Sequence, residues 1–259
     1  MKKITSSGQY FINCVTVTGA DDYNDPNEMA DIFSKYPFVE FGILLSSDRL
    51  GSTRFPSINW LKKLYDFTAS DRVHLTGHNM INLSGHICGK WVRELCVGSD
   101  KFFEEMDPVW RMFRRFQLNF HAQPHEFLED RCSNVIKKYL PSTPIIVQID
   151  GVNDHILNDL RSKGVNAIPL FDKSSGVGLL PDHWPLQSVG VYSGYAGGLS
   201  PENLAREIVK IFNATCGPIW IDAETRLRSS FGHEGARIGD RFDLQKVCSF
   251  LEIAKQWIV

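Results

Sequence analysis

The stretch VYSGYAGGLSPENLAREI, Val191 to Ile208, packs an apolar run, a glycine-rich turn and the opening of a helix into eighteen residues. That order is the signature of a strand passing into a helix. Ser200 suits the N-cap and Pro201 the first helical position. Gly194, Gly197 and Gly198 permit backbone angles closed to other residues and let a ligand approach the chain. Unsatisfied N–H groups at a helix start carry partial positive charge, so the turn is expected to hold a phosphate. The plainer alternative is a tight turn with no ligand.

The same alternation runs outward in both directions. Strands are expected at Phe11–Gly19, Val39–Leu45, Met80–His86, Phe116–Phe120, Pro144–Asp150, Asn166–Asp172, Val189–Gly194 and Pro218–Glu224. These runs are apolar almost throughout, as in parallel strands covered on both faces. Helical patterns lie between them. DPNEMADIFSKY has Asp25 as cap and Pro26 at the first position, and SINWLKKLYDF starts at Ser57. GKWVREL and DPVWRMF precede the fourth strand, and HEFLEDRCSNVIKKYL precedes the fifth. SPENLAREIVKIF and FDLQKVCSFLEIAKQWI follow the seventh and eighth. Eight strand-helix repeats in about 250 residues is the size of a (β/α)₈ barrel. A doubly wound open sheet would show fewer strands. No Pro- or Ser-rich linker splits the chain, so residues 1–259 are read as one barrel domain, with DRVHLTGHN at 71–79 as an insertion.

Composition narrows the partners. The 259 residues are 43% hydrophobic with a formal net charge of -2, against a nucleic-acid partner held by bulk positive charge. Arg111, Arg114 and Arg115 sit among aromatic residues and read as the edge of an amphipathic helix. The six cysteines have no paired spacing and read as reduced thiols, mostly buried. The apolar run after Lys2 and Lys3 contains Asn13, Thr16 and Thr18, too polar for a signal-peptide core. No stretch approaches a membrane span. A cytoplasmic protein, monomer or homodimer, with no cofactor and no metal is expected.

In such a barrel the chemistry gathers where the strands end. Thr18, Asp21 and Asp22 follow the first strand; Ser46, Arg49 and Arg54 follow the second. His86 closes the third, His121 and Gln123 follow the fourth, and Asp150 and Asp172 close the fifth and sixth. Asp222, Glu224 and Arg226 end the eighth. Acids, bases and anion clamps are all present. Each has a structural alternative: Asp150 before Gly151 equally makes a turn, and Asp222 equally pairs with an arginine as a buried carboxylate. His86 and Cys88 are two ligands, which do not make a zinc site.

AGGLSPENL (Ala196–Leu204), LFDKSSGVG (Leu170–Gly178), STRFPS (Ser52–Ser57), RFQLNFHA (Arg115–Ala122) and DRFDLQKVCSFLE (Asp240–Glu252) together resemble phosphoribosylanthranilate isomerase, a (β/α)₈ enzyme of tryptophan biosynthesis. The matches are short but span most of the chain in order. The resemblance implies Asp172 as general acid, Arg54 as clamp for the anthranilate carboxylate, and Gly197 and Gly198 as phosphate contacts. The reaction implied is an Amadori rearrangement: acid-assisted ring opening, then removal of the C2 proton. Two departures stand out. The family's base is a cysteine near the end of strand one, where TVTG places Thr18, with Cys14 four residues below. Its small turn after strand eight is replaced by ETRLRSS, which offers Arg226 and Arg228 as side-chain anion binders.

Three readings follow. The protein is an isomerase whose base has moved, with Asp21, His86 or Asp150 as candidates beside Asp172. Alternatively, it is a diverged barrel enzyme acting on another small phosphorylated or carboxylated molecule. Or it is a non-catalytic binder of a small anion. In each, the binding set is Arg54, Gly197, Gly198, Arg226, Glu224 and Thr18.

Overall fold

The computed structural model describes residues 12–69, 81–120, 127–151, 153–172, 178–230 and 240–258. Eight parallel strands close in sequence order into a barrel. They are β1 (Ile12–Thr18), β2 (Val39–Leu45), β3 (Leu83–Ile87), β4 (Arg115–Leu118), β5 (Ile145–Ile149), β6 (Ala167–Phe171), β7 (Ser193–Ala196) and β8 (Ile219–Ala223). Outside lie α1 (Pro26–Lys35), α2 (Ile58–Ala69), α3 (Gly89–Cys96), α4 (Lys101–Glu105), α5 (Glu129–Tyr139), α6 (Asp154–Ser162), α7 (Leu204–Asn213) and α8 (Leu244–Ala254). After β8, β9 (Arg228–Ser230) and β10 (Asp240–Phe242) form an antiparallel ribbon. The expected (β/α)₈ barrel is the observed fold. Among the described residues, no helix is long and apolar enough to cross a membrane.

Local sequence explains three of the eight helix starts. Asp25 caps α1, its carboxylate accepting from the Asn27 N–H at 2.8 Å, with Pro26 in the first turn. Ser57 accepts from the Trp60 N–H ahead of α2, and Asp243 caps α8 through the Gln245 and Lys246 N–H groups. Strand alternation then divides the core. Val15 and Val17 of β1 point outward and are fully buried under helices, while Cys14, Thr16 and Thr18 turn inward. Inside, Trp220 packs with Ile146, Leu170 and Ala196.

Four details differ from the sequence reading. Helix α6 is not among the helical patterns read from the sequence, although Ile156, Leu157 and Leu160 form its buried face. Residues 178–192 between β6 and β7 form no helix; Trp184 of this segment is buried instead, donating to Glu207 Oε2 at 3.2 Å. Strand β7 lies later than expected because Tyr195 and Ala196 pair with Ile221 and Asp222, whereas Val189 is 90% exposed. Gly194 serves space rather than backbone freedom: a Cβ there would stand 2.2 Å from the Trp220 ring. The proposed insertion at 71–79, together with His121, Gln123 and residues 173–177, lies outside the described residues.

Candidate active site

An open cavity of about 480 Å³ lies where the C-terminal ends of β4 to β8 meet their loops. Three carboxylates face it: Asp172 after β6, Asp222 at the end of β8, and Glu224 just beyond. Three amides join them, Gln117 and Asn119 from the β4 segment and Gln148 from β5. The backbone of Gly197, Gly198 and Leu199 forms another wall, and exposed Arg226 stands at the edge. Five of the residues expected from sequence thus meet in one place: Asp172, Gly197, Gly198, Glu224 and Arg226.

Asp222 lies at the rim, as its place at the end of the eighth strand predicts. In place of the arginine offered as its structural alternative, its partner is Thr18, whose hydroxyl donates to Oδ1 at 2.8 Å. Burial pushes the Asp222 carboxyl well above the usual range; the Thr18 hydrogen bond works against that, and Glu224, Asp172 and Glu40 add to it. Burial likewise raises Glu224, opposed by Arg54 and reinforced by Asp172. Burial thus pushes both carboxyls of this cavity in the same direction. Asp172 is held at Oδ2 by the Gln148 amide at 3.2 Å. The other end of that amide, Gln148 Oε1, is buried and accepts no hydrogen bond. An orphaned acceptor on a cavity wall suits a hydroxyl donor on a ligand.

Four expected residues lie elsewhere. Asp21 is buried and ion-paired with Arg228 at 2.9 Å, the Arg228 side chain being 1% exposed. That pair ties the β1 loop to the ribbon, and neither residue lines the cavity. Asp150 accepts from the N–H and the side-chain amide of Asn153, making a turn before α6. His86 is buried inside the barrel, and desolvation followed by the nearby Arg115 charge lowers its pKa to about 3. Thr18 is fully buried and stands behind Asp222 rather than on the cavity wall. Cys14 lies low in the barrel, as expected, and burial pushes its thiol up to about 12.

Arg54 adopts φ +73°, a left-handed backbone that costs a non-glycine residue about 1–2 kcal/mol. Its guanidinium repays this by reaching across the mouth, with Nε 3.1 Å from Asp240 and Nη1 3.3 Å from both Glu224 and Thr225. The glycine turn is also more constrained than its sequence suggests. Ser200 opens an irregular turn, and α7 itself begins at Leu204. The Ser200 N–H donates to Asn203 Oδ1 at 2.9 Å, and the Asn203 amide donates to the Gly198 carbonyl at 2.8 Å. The expected helix-start donor at Ser200 is therefore already satisfied. Gly197 and Gly198 both have positive φ, and a Cβ on Gly198 would lie 2.6 Å from the Leu180 nitrogen. Arg226 Nε donates to the Gly178 carbonyl of that same neighbouring loop. Among the described residues no cluster of three or more metal-ligating side chains occurs.

No protein-family model matches the chain, and no curated protein matches it by sequence. Solved structures do. Phosphoribosylanthranilate isomerase from Thermus thermophilus aligns over 93% of this chain and 98% of its own, with a TM-score of 0.55 and 14% identity. The same enzyme from Thermotoga maritima aligns over 94% and 99%, with a TM-score of 0.53 and 12% identity. A spore coat polysaccharide biosynthesis protein from Bacillus subtilis aligns over 94% of this chain and 67% of its own, with a TM-score of 0.52 and 12% identity. At these identities the likeness is one of fold.

Proposed function

We propose that the protein is an isomerase that moves a proton between adjacent carbons of a small phosphorylated, hydroxyl-rich molecule, in the manner of phosphoribosylanthranilate isomerase. The observation that carries this reading is the pairing of Asp172 and Asp222 in one cavity with unlike surroundings. Asp172 is the general acid that protonates the ring oxygen. Asp222 is the base that then takes the C2 proton, supplying what the first-strand cysteine supplies in the family. An elevated carboxyl pKa is what a carboxylate base needs to work near neutral pH. Thr18 keeps a route to the ionised form open by donating to it. The carboxylates and the unpartnered Gln148 oxygen suit sugar hydroxyls, and Gly197, Gly198 and Arg226 suit the phosphate. No cofactor enters this scheme.

A second substrate is favoured by Arg54. The resemblance assigns it to an aromatic carboxylate, but here it already serves Glu224 and Asp240. A sugar phosphate without a second anion would leave that network intact. The test is turnover of freshly generated phosphoribosylanthranilate, followed by loss of its fluorescence, in the wild type, Asp172→Asn and Asp222→Asn. Wild-type turnover reduced about 10²–10⁴-fold in each variant is expected. Turnover that survives Asp222→Asn removes it as the base. A folded but inactive wild type that ribose 5-phosphate still protects against heat selects the second substrate.

A further inference from the structure

The cavity wall formed by β4 and β5 carries two glutamines, and no described residue uses their side-chain oxygens. Gln148 is 3% exposed, and its Nε2 donates to the main-chain carbonyl of Asp172 at 3.3 Å and to Oδ2 at 3.2 Å. A main-chain carbonyl only accepts, so the amide end at Asp172 is the NH₂ group. The other end is Oε1, which is buried and accepts no hydrogen bond. Leaving such an atom dry costs about 1–3 kcal/mol, so it calls for a reason. Gln117 is buried too, and a longer chain of bonds fixes it in the same way. The Cys88 thiol, which burial pushes up to about 12 and so keeps protonated, donates to the His86 carbonyl at 3.2 Å. Its sulfur then accepts from Asn119 Nδ2 at 3.3 Å, and Asn119 Oδ1 accepts from Gln117 Nε2 at 2.6 Å. Gln117 Oε1 is the end left over, and among the described residues none donates to it.

Gln117 pairs with Ile146 across the two strands, so Gln148 is the next inward residue on the neighbouring strand. Two neighbouring amides thus spend their NH₂ ends on the protein and keep their oxygens for a ligand. Those oxygens accept and cannot donate. A ligand hydroxyl bonds either of them. A ketone, an ether or a phosphate oxygen has no proton to offer and would set acceptor against acceptor. We propose that Gln117 and Gln148 form an acceptor-only wall that selects a vicinal diol, each oxygen taking the proton of one of two neighbouring hydroxyls. The inference deepens the isomerase reading and rests on it for the phosphate. It narrows the substrate to a sugar phosphate with free hydroxyls on two adjacent carbons. A deoxy sugar would leave one buried oxygen unpaired, and a site built to bond a hydroxyl rejects the analogue that lacks it. The wall also sets the direction of binding, because the phosphate is repelled by the glutamine oxygens and drawn to Arg226 and the Gly197–Leu199 backbone across the cavity.

The test is binding rather than turnover. Affinities for ribose 5-phosphate and for its 2-deoxy and 3-deoxy analogues are measured by calorimetry on the wild type, Gln117→Met and Gln148→Met, with circular dichroism as the control for an intact fold. Each missing hydroxyl is expected to weaken wild-type binding about tenfold, the loss of one hydrogen bond. Gln117→Met is expected to remove the penalty of one analogue and keep that of the other, and Gln148→Met to do the reverse. Equal wild-type affinity for the three sugars overturns the wall, and so does no affinity for any of them. Those two outcomes need no variant, so the test stands even if a variant fails to fold. Penalties that both survive in both variants overturn it as well. The isomerase reading fails separately: a protein that prefers ribose 5-phosphate in this pattern but turns over no phosphoribosylanthranilate keeps the wall and loses that reaction.

Discussion

The barrel interior holds two charged clusters, one low and one at the mouth, built on opposite rules. In the lower one, Arg115 Nη2 meets Glu40 Oε1 at 2.7 Å and Thr16 Oγ1 at 3.0 Å, and its guanidinium lies over the Trp220 ring at 4.8 Å. Thr16 also donates to Glu40. Burial pulls the Arg115 pKa down, but the Glu40 carboxylate more than restores it, so the guanidinium stays charged. Charges there are equal in number and the polar atoms face one another. At the mouth, Asp172, Asp222 and Glu224 line one cavity, where Arg54 pairs with Glu224 and Arg226 stands at the edge. The lower charges are matched within hydrogen-bond distance, whereas three acids at the mouth line one open cavity.

The largest effect should come from breaking the balanced cluster. Arg115→Ala leaves Glu40 buried and unpaired, and should cost about 3–5 kcal/mol in urea unfolding. A loss near zero would mean that the lower cluster is not structural. Gly198→Val forces a side chain into the Leu180 backbone at a positive φ, and should cost about 1–3 kcal/mol in the same assay. It is accordingly a probe of loop packing rather than of phosphate. Arg226→Met is the cleaner phosphate probe, since Arg226 is exposed on the cavity edge. Its stability should change by no more than about 0.5 kcal/mol, while protection against heat by inorganic phosphate should weaken. Unchanged protection would place the anion elsewhere.

The fold was legible in sequence because apolar runs and capped helix starts are local. Asp25-Pro26 and Asp243 needed no tertiary information, and even α6 could have been found from Ile156, Leu157 and Leu160. The segment at 178–192 was harder, because nothing local says that Trp184 will reach Glu207. The site was legible only in part for the same reason. Asp172, Glu224 and the glycines sit where any strand end in a barrel would put them. Whether Asp21 faces a cavity or Arg228 depends on a contact between opposite ends of the chain. Asp222 was weighed correctly as buried and given the wrong partner, since a threonine two hundred residues away leaves no mark nearby.

The most direct test of the contrast is the unfolding free energy of Asp222→Asn against the wild type at pH 4 and pH 7. The native carboxyl titrates above its unfolded value, so the folded state binds the extra proton. Wild-type stability therefore falls as pH rises from about 3.9 through the native midpoint. The asparagine escapes that loss. The variant should match the wild type near pH 4 and exceed it at pH 7, by about 1.4 kcal/mol for each pH unit of elevation. A variant no more stable at pH 7 than the wild type would mean that Asp222 belongs to the scaffold, and that the acids at the mouth are not held in readiness for chemistry.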